Sequence, residues 1–198
     1  MNAIKRTKFN IMLLGESQVG KTSMISYLTS GIYEEIGLLT AGIDCTTVDT
    51  QFEGKKYKFK IFDTAGQERY KSISKSSIKL ADGFLLVFAV DNRDSFEKIN
   101  GWIANIQDEV NVSQKIIFLV GNKCDITDKR EISTETGSEF AKKVKLKYFE
   151  TSAKAGIGIK EVFNQLYEEV YNLNKKKINE NINLDNNNNN NGPTRIFC

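Results

Sequence analysis

Histidine is absent from this 198-residue chain, proline occurs once and cysteine three times. The cysteines, Cys45, Cys124 and Cys198, lie far apart. With no histidine beside them they match none of the usual zinc spacings, and three scattered thiols argue against a disulfide framework. A reducing cytosol is the setting this usage suggests. Long apolar runs are missing too, none approaching the ~20 residues that span a bilayer. The basic start, Met1 to Lys8, leads into an apolar stretch, Phe9 to Leu14, too short for a cleaved secretory signal. Charge of one sign is also scarce. The formal net charge is +3, of which the segment from Lys175 onward carries +2, leaving a balanced body. A nucleic-acid partner is therefore not expected.

What is present reads as one globular domain followed by a tail. Apolar residues make up 40% of the chain, and mean hydropathy is −0.38. Strands and helices alternate. Phe9 to Leu14 predicts a buried strand, followed by a glycine-containing loop and a helix from about Lys21 to Thr29. Ile43 to Phe52 and Lys55 to Phe62 predict two strands joined by a tight Glu53-Gly54 turn. Gly83 to Val90 and Lys115 to Val120 are dense in Phe, Leu, Val and Ile, as strands covered on both faces are. Helical spacing marks Ser95 to Val110 and Ile159 to Leu173. The sum is an α/β three-layer domain, residues 1–174, whose six-stranded sheet is parallel except for one hairpin strand. From Lys175 the composition turns lysine-rich and then asparagine-rich, with an unbroken run from Asn186 to Asn191. Such a segment cannot bury enough apolar surface to offset its ordering entropy, so residues 175–198 are expected to be a disordered tail.

Two stretches point to phosphate chemistry. Gly15-Glu16-Ser17-Gln18-Val19-Gly20-Lys21-Thr22 fits the P-loop pattern between a strand and a helix. The glycines let backbone N–H groups turn inward around phosphate oxygens, and the helix start adds partial positive charge. Lys21 would reach the β- and γ-phosphates, and the Thr22 hydroxyl would ligate Mg²⁺. Asp63-Thr64-Ala65-Gly66-Gln67 follows a strand. An Asp63 carboxylate there can hold Mg²⁺ through water, and Gly66 can offer its N–H to the γ-phosphate because no Cβ blocks the approach.

Two more stretches point to the base. In Asn122-Lys123-Cys124-Asp125 the Asp125 carboxylate can accept from guanine N1–H and the exocyclic amine together, which adenine does not offer. The Lys123 stem can lie over the ring, while Asn122 ties neighbouring loops. Thr151-Ser152-Ala153-Lys154 offers the Ala153 N–H to the guanine oxygen. Each pattern alone is weak, but four in this order along one alternating fold leave little room for coincidence.

On those residues the chain resembles the Ras superfamily of small GTPases, a P-loop NTPase G domain, over roughly Lys8 to Leu173. The resemblance implies GTP and GDP as ligands with Mg²⁺, and further roles. Thr40, 19 residues after Lys21, takes the place of the switch threonine that joins Mg²⁺ when the γ-phosphate is present. Tyr33 falls where an aromatic residue packs on guanine, and Gln67 where a glutamine orients the attacking water. Hydrolysis would be slow alone and accelerated by ~10³–10⁵ when an activating protein supplies an arginine. Exchange factors, effectors and a carrier for the GDP-bound form are the other implied partners of a chain expected to be a monomer. A P-loop kinase is disfavoured, since no lid arginines accompany the loop.

Within the superfamily Gln67-Glu68-Arg69-Tyr70, Trp102, Thr40 to Asp44 and the Val120 to Asp125 stretch resemble the Rab branch, which implies vesicle traffic. Asp82 to Phe88 and Asn92 to Phe96 resemble the Ras branch, so Ras-type signalling stands as the alternative, with a GTP-loaded scaffold of little hydrolysis as another. There are departures. Three aromatic residues usual in Rab effector surfaces are replaced by Cys45, Phe62 and Ser77, and Gly37 and Ala41 stand for a tyrosine and an isoleucine. Weak binding to ordinary Rab effectors is expected, because aromatic anchors are typical hot spots. Ser17 and Gln18 stand where Ras has two glycines. Gln18 is expected to point outward and to leave slow hydrolysis in place. At the end, a Cys-a-a-X prenylation signal would need cysteine where Arg195 stands, so Cys198 is the candidate lipid site. Lys175 to Lys177 would add ~1 kcal/mol each near an anionic leaflet. The expected location is the cytosol and the cytoplasmic face of membranes.

Overall fold

The computed structural model describes residues 7–33, 43–64 and 75–189, without the side chains of 43 and 181–189. Along the first strand, β1 (Lys8–Leu14), side chains alternate between two cores. Phe9, Ile11 and Leu13 enter one and Met12 and Leu14 the other, as the two-residue strand period requires. After α1 (Lys21–Ser30) come the hairpin strands β2 (Ile43–Phe52) and β3 (Lys55–Thr64), then α2 (Lys75–Leu80) and β4 (Gly83–Ala89). Next are α3 (Arg93–Glu97), α4 (Ile99–Glu109), β5 (Ile116–Asn122), α5 (Thr134–Lys143), β6 (Lys147–Glu150) and α6 (Ile159–Asn189). The six strands form one sheet in the order β2-β3-β1-β4-β5-β6. Among the described strands only β2 and β3 pair antiparallel. The fold is the mostly parallel α/β domain that the alternation predicts.

Helices cover both faces. Met24 and Ile25 of α1 and Val162, Phe163, Leu166 and Val170 of α6 pack on one side. Ile78 of α2, Ile99, Trp102 and Ile106 of α4 and Ala141 of α5 pack on the other. Strand β1 is central, with β3 on one side and β4 on the other. The chain moves from the β3 side to the β4 side next to it, so a crevice opens at the carboxyl end of β1, where open α/β sheets hold ligands.

Four elements differ from expectation, the first being α2, which lies in no predicted segment. The helix predicted over Ser95 to Val110 is two helices meeting at Lys98. The Asn92 side chain caps the first by accepting from the Ser95 N–H at 2.9 Å. Phe96 and Ile99 keep a three-residue spacing across the junction, which hides the break from periodicity. Helix α5 goes unnoticed in the sequence because its buried face is small, Gly137 and Ala141. Its start is nonetheless marked by Ser133, which accepts from the Thr136 N–H at 3.1 Å. The last helix continues past Asn174, where the domain was expected to end, to Asn189. No glycine or proline interrupts that segment. Lys175 pairs with Glu53 in the β2–β3 turn and lies 5.9 Å over the Tyr171 ring. Tyr171 in turn stacks on Phe52 at 4.7 Å. Lys177 donates to the Gln114 carbonyl at 2.9 Å.

Candidate nucleotide site

The loop after β1 is shaped by residues that no side-chain change would leave intact. A Cβ on Gly15 would lie 2.0 Å from the Val87 carbonyl oxygen, and one on Gly20 would lie 2.3 Å from Asn122 Nδ2. Between them Gln18 has φ +62°, a left-handed conformation that costs a non-glycine residue energy. Such conformations persist where the surroundings over-determine them, as at ligand-binding loops. Lys21 is 5% exposed. Its ammonium donates to the carbonyls of Gly15 and Glu16, both at 2.8 Å. Burial lowers its pKa to about 8, with the Asp63 and Glu16 carboxylates pulling the other way. An anion entering the loop would favour the charged ammonium still further.

Asp63 ends on the strand beside β1, so its carboxylate reaches the loop. It is buried, and the Thr22 hydroxyl donates to its Oδ2 at 2.5 Å. A hydroxyl and a carboxylate are hard oxygen donors. Mg²⁺ asks few such ligands of a protein, because it keeps waters and takes phosphate oxygens for the rest. The pair fits that ion, with Thr22 and Asp63 on the protein side. Thr40, Gly66, Gln67 and Cys198 lie outside the described residues, as do Gly37, Ala41 and Glu68 to Tyr70.

Further along the crevice a cavity of about 240 Å³ gathers the residues assigned to the base. Tyr33, Asn122, Lys123, Asp125, Ser152, Ala153 and Lys154 all line it. Three separate loops are brought together there, and hydrogen bonds lock them. Asn122 donates to the Val19 carbonyl at 2.8 Å and accepts from the Thr151 hydroxyl at 3.0 Å. The Thr151 N–H donates to the Gly121 carbonyl, and the Cys124 N–H to the Thr151 carbonyl. Ser152 Oγ donates to Asp125 Oδ1 at 2.5 Å and accepts from the Ala155 N–H at 2.9 Å. The Ser152 bond helps to orient the Asp125 carboxylate at the cavity wall. Lys123 has φ +64°, which sends its side chain back to Asp91, 3.4 Å away.

Some participants escaped the sequence reading. Ser23 and Ile126 line the cavity as well. Asp91 follows β4 at the carboxyl end of a parallel strand, a position that could have flagged it. Lys98, which pairs with Glu16 at 3.1 Å, carried no signal in the sequence. Of the residues replacing aromatic anchors, Cys45 is exposed and stands directly across from half-buried Phe62 in the β2–β3 register.

A profile of the Ras family matches residues 10–172. The chain is 35% identical over 188 residues to the Ras-related protein Rab-8B of Homo sapiens, covering 95% of this chain and 88% of that protein. It is 36% identical over 173 residues to Rab-8 of Diplobatis ommata, 87% of this chain and 82% of the relative. Rab-8A of Mus musculus gives the same identity and length, with 83% of the relative covered.

Proposed function

Because the chain belongs to the Ras family, whose members bind GTP and hydrolyse it to GDP, we propose that this GTPase switch serves intracellular vesicle traffic. The observation that carries the nucleotide reading is the convergence of Lys21, Thr22, Asp63, Asn122, Asp125 and Ser152 on one crevice. Likeness to Rab-8 proteins across nearly the whole chain supports the trafficking role.

In this reading the loop from Gly15 to Thr22 wraps the phosphates, and Lys21 keeps its hold on the Gly15 and Glu16 carbonyls while its remaining N–H reaches phosphate oxygens. Thr22, Asp63 and Thr40 would hold Mg²⁺, which would supply positive charge to offset that of the phosphates. Asp125 selects guanine, Tyr33 and the Lys123 stem enclose the ring, and Ala153 offers its N–H to the base. Gln67 orients water for hydrolysis, and Gly66 and Thr40 report the γ-phosphate to effectors. Exchange factors, activating proteins and a carrier of the GDP form act on the segments around Thr40 and Gly66. No described helix is long and apolar enough to cross a membrane. Membrane attachment in this reading is through a lipid at Cys198. A single lipid binds reversibly, which suits a carrier that extracts the GDP form.

The test is the intact mass and membrane recovery of the chain from its own cells, with Cys198→Ser as control. A prenyl mass and membrane recovery, both lost in the control, support the trafficking role. An unmodified chain found only in the soluble fraction overturns it.

A further inference from the structure

The phosphate loop carries one carboxylate, Glu16, in a segment whose ligand is polyanionic. Left alone it would repel phosphate. It is not left alone, for Lys98 Nζ lies 3.1 Å from Glu16 Oε2, reaching back 82 residues. Lys98 sits where α3 meets α4. Its carbonyl accepts from the Gly101 and Trp102 N–H groups, and the neighbouring Ile99 and nearby Trp102 are buried. The same ammonium also pairs with Asp94 at 2.8 Å. Glu16 is meanwhile tied to the site through its backbone, since its carbonyl accepts from the Lys21 ammonium at 2.8 Å. A side chain fixed at one end by Lys98 therefore fixes the carbonyl that helps to hold Lys21.

We propose that Lys98 is a positioning residue for nucleotide binding, which neutralises the Glu16 carboxylate and holds the phosphate loop in the shape that Lys21 requires. This rests on the nucleotide reading above. The pair is partly exposed, with side-chain accessibilities of 39% and 23%, so its effect is modest and depends on salt.

The experiment measures release of a fluorescent GDP from the full-length, Mg²⁺-loaded protein at low and high ionic strength, with melting temperature alongside. Lys98→Ala is expected to release GDP roughly three- to fivefold faster at low salt, with the difference shrinking as salt rises. Lys98→Arg should behave as wild type. Adding Glu16→Gln to Lys98→Ala should return most of the loss, because no bare carboxylate then remains. Asp94→Asn should leave release unchanged, which separates the loop contact from the helix-junction contact. Wild-type release from Lys98→Ala, equal acceleration by Asp94→Asn, or no recovery in the double variant overturns the proposal. A wild-type chain that fails to retain GDP would instead remove the nucleotide reading on which it rests.

Discussion

Asn122 and Val19 stand 103 residues apart in the chain, yet the Asn122 amide donates to the Val19 carbonyl at 2.8 Å. The bond joins the glycine-containing loop after β1 to the loop after β5, the two loops proposed above to hold the phosphates and the base. A third loop enters through the Thr151 hydroxyl, which donates to the same side chain. Asn122 is therefore a clamp, buried to 1% exposure, and its chemistry decides whether the crevice has one shape.

Asn122→Ala removes both bonds and leaves the Val19 carbonyl and the Thr151 hydroxyl buried without that partner. Each such group costs about 1–3 kcal/mol. The unfolding free energy of the variant is expected to fall by roughly 2–4 kcal/mol. GDP should also leave at least about tenfold faster, because both loops lose their common reference. Denaturant unfolding and nucleotide-release kinetics check the two halves. Full stability with unaltered release would show that the clamp is redundant.

Gly20→Ala attacks the same clamp from the other side. The new Cβ would sit 2.3 Å from Asn122 Nδ2, on a backbone with φ +94°. Gly31, at the end of α1, has φ +72° but open space around it. Gly31→Ala should thus cost only the conformational strain, about 1 kcal/mol. Gly20→Ala should cost clearly more and abolish nucleotide retention. Equal effects of the two substitutions on melting temperature would mean that backbone strain alone matters at Gly20.

This clamp also marks the limit of what the sequence makes legible. Strands β1, β4 and β5 announce themselves as short, dense apolar runs, and the Glu53-Gly54 turn fixes the hairpin. The phosphate loop is a contiguous motif, so its residues can be named in order. Helix α5 and the break at Lys98 stay hidden, because a small buried face and a maintained spacing leave the periodicity unchanged. Pairs such as Lys98 with Glu16 or Lys123 with Asp91 depend on tertiary proximity. Nothing local foretells them. The course of α6 beyond Asn174 belongs in the same class, since Glu53 and Gln114 from distant turns supply its contacts.

Thr22 tests the metal side of the site. Its hydroxyl donates to Asp63 at 2.5 Å, a geometry in which both oxygens face the same place. Thr22→Ala removes one hard donor and leaves Asp63 without that hydrogen bond. The Mg²⁺ concentration giving half-maximal slowing of GDP release should rise by roughly tenfold or more. Thr22→Ser, which keeps the hydroxyl, should restore the wild-type value. If Thr22→Ala shows the same Mg²⁺ dependence as wild type, the hydroxyl is structural only.

In the function proposed above, base selection turns on Asp125. One of its oxygens accepts from Ser152 Oγ, which helps to orient the carboxylate plane before any base arrives. Guanine offers two donors to that plane and adenine offers neither, which makes selection a matter of hydrogen bonds made or left unmade. Hydrogen bonds to a charged partner contribute about 1.5–3 kcal/mol each. Losing both should weaken GTP binding roughly a hundredfold or more in Asp125→Ala. ATP makes neither bond, so its weak binding should change little and the ratio between the two should collapse. Ser152→Ala keeps the carboxylate but frees its plane, and a smaller loss of about three- to tenfold is expected. Competition of GTP and ATP against a fluorescent GDP measures all three proteins. A ratio that survives Asp125→Ala would place the discrimination elsewhere in the cavity, and the backbone N–H of Ala153 would then be the next group to examine.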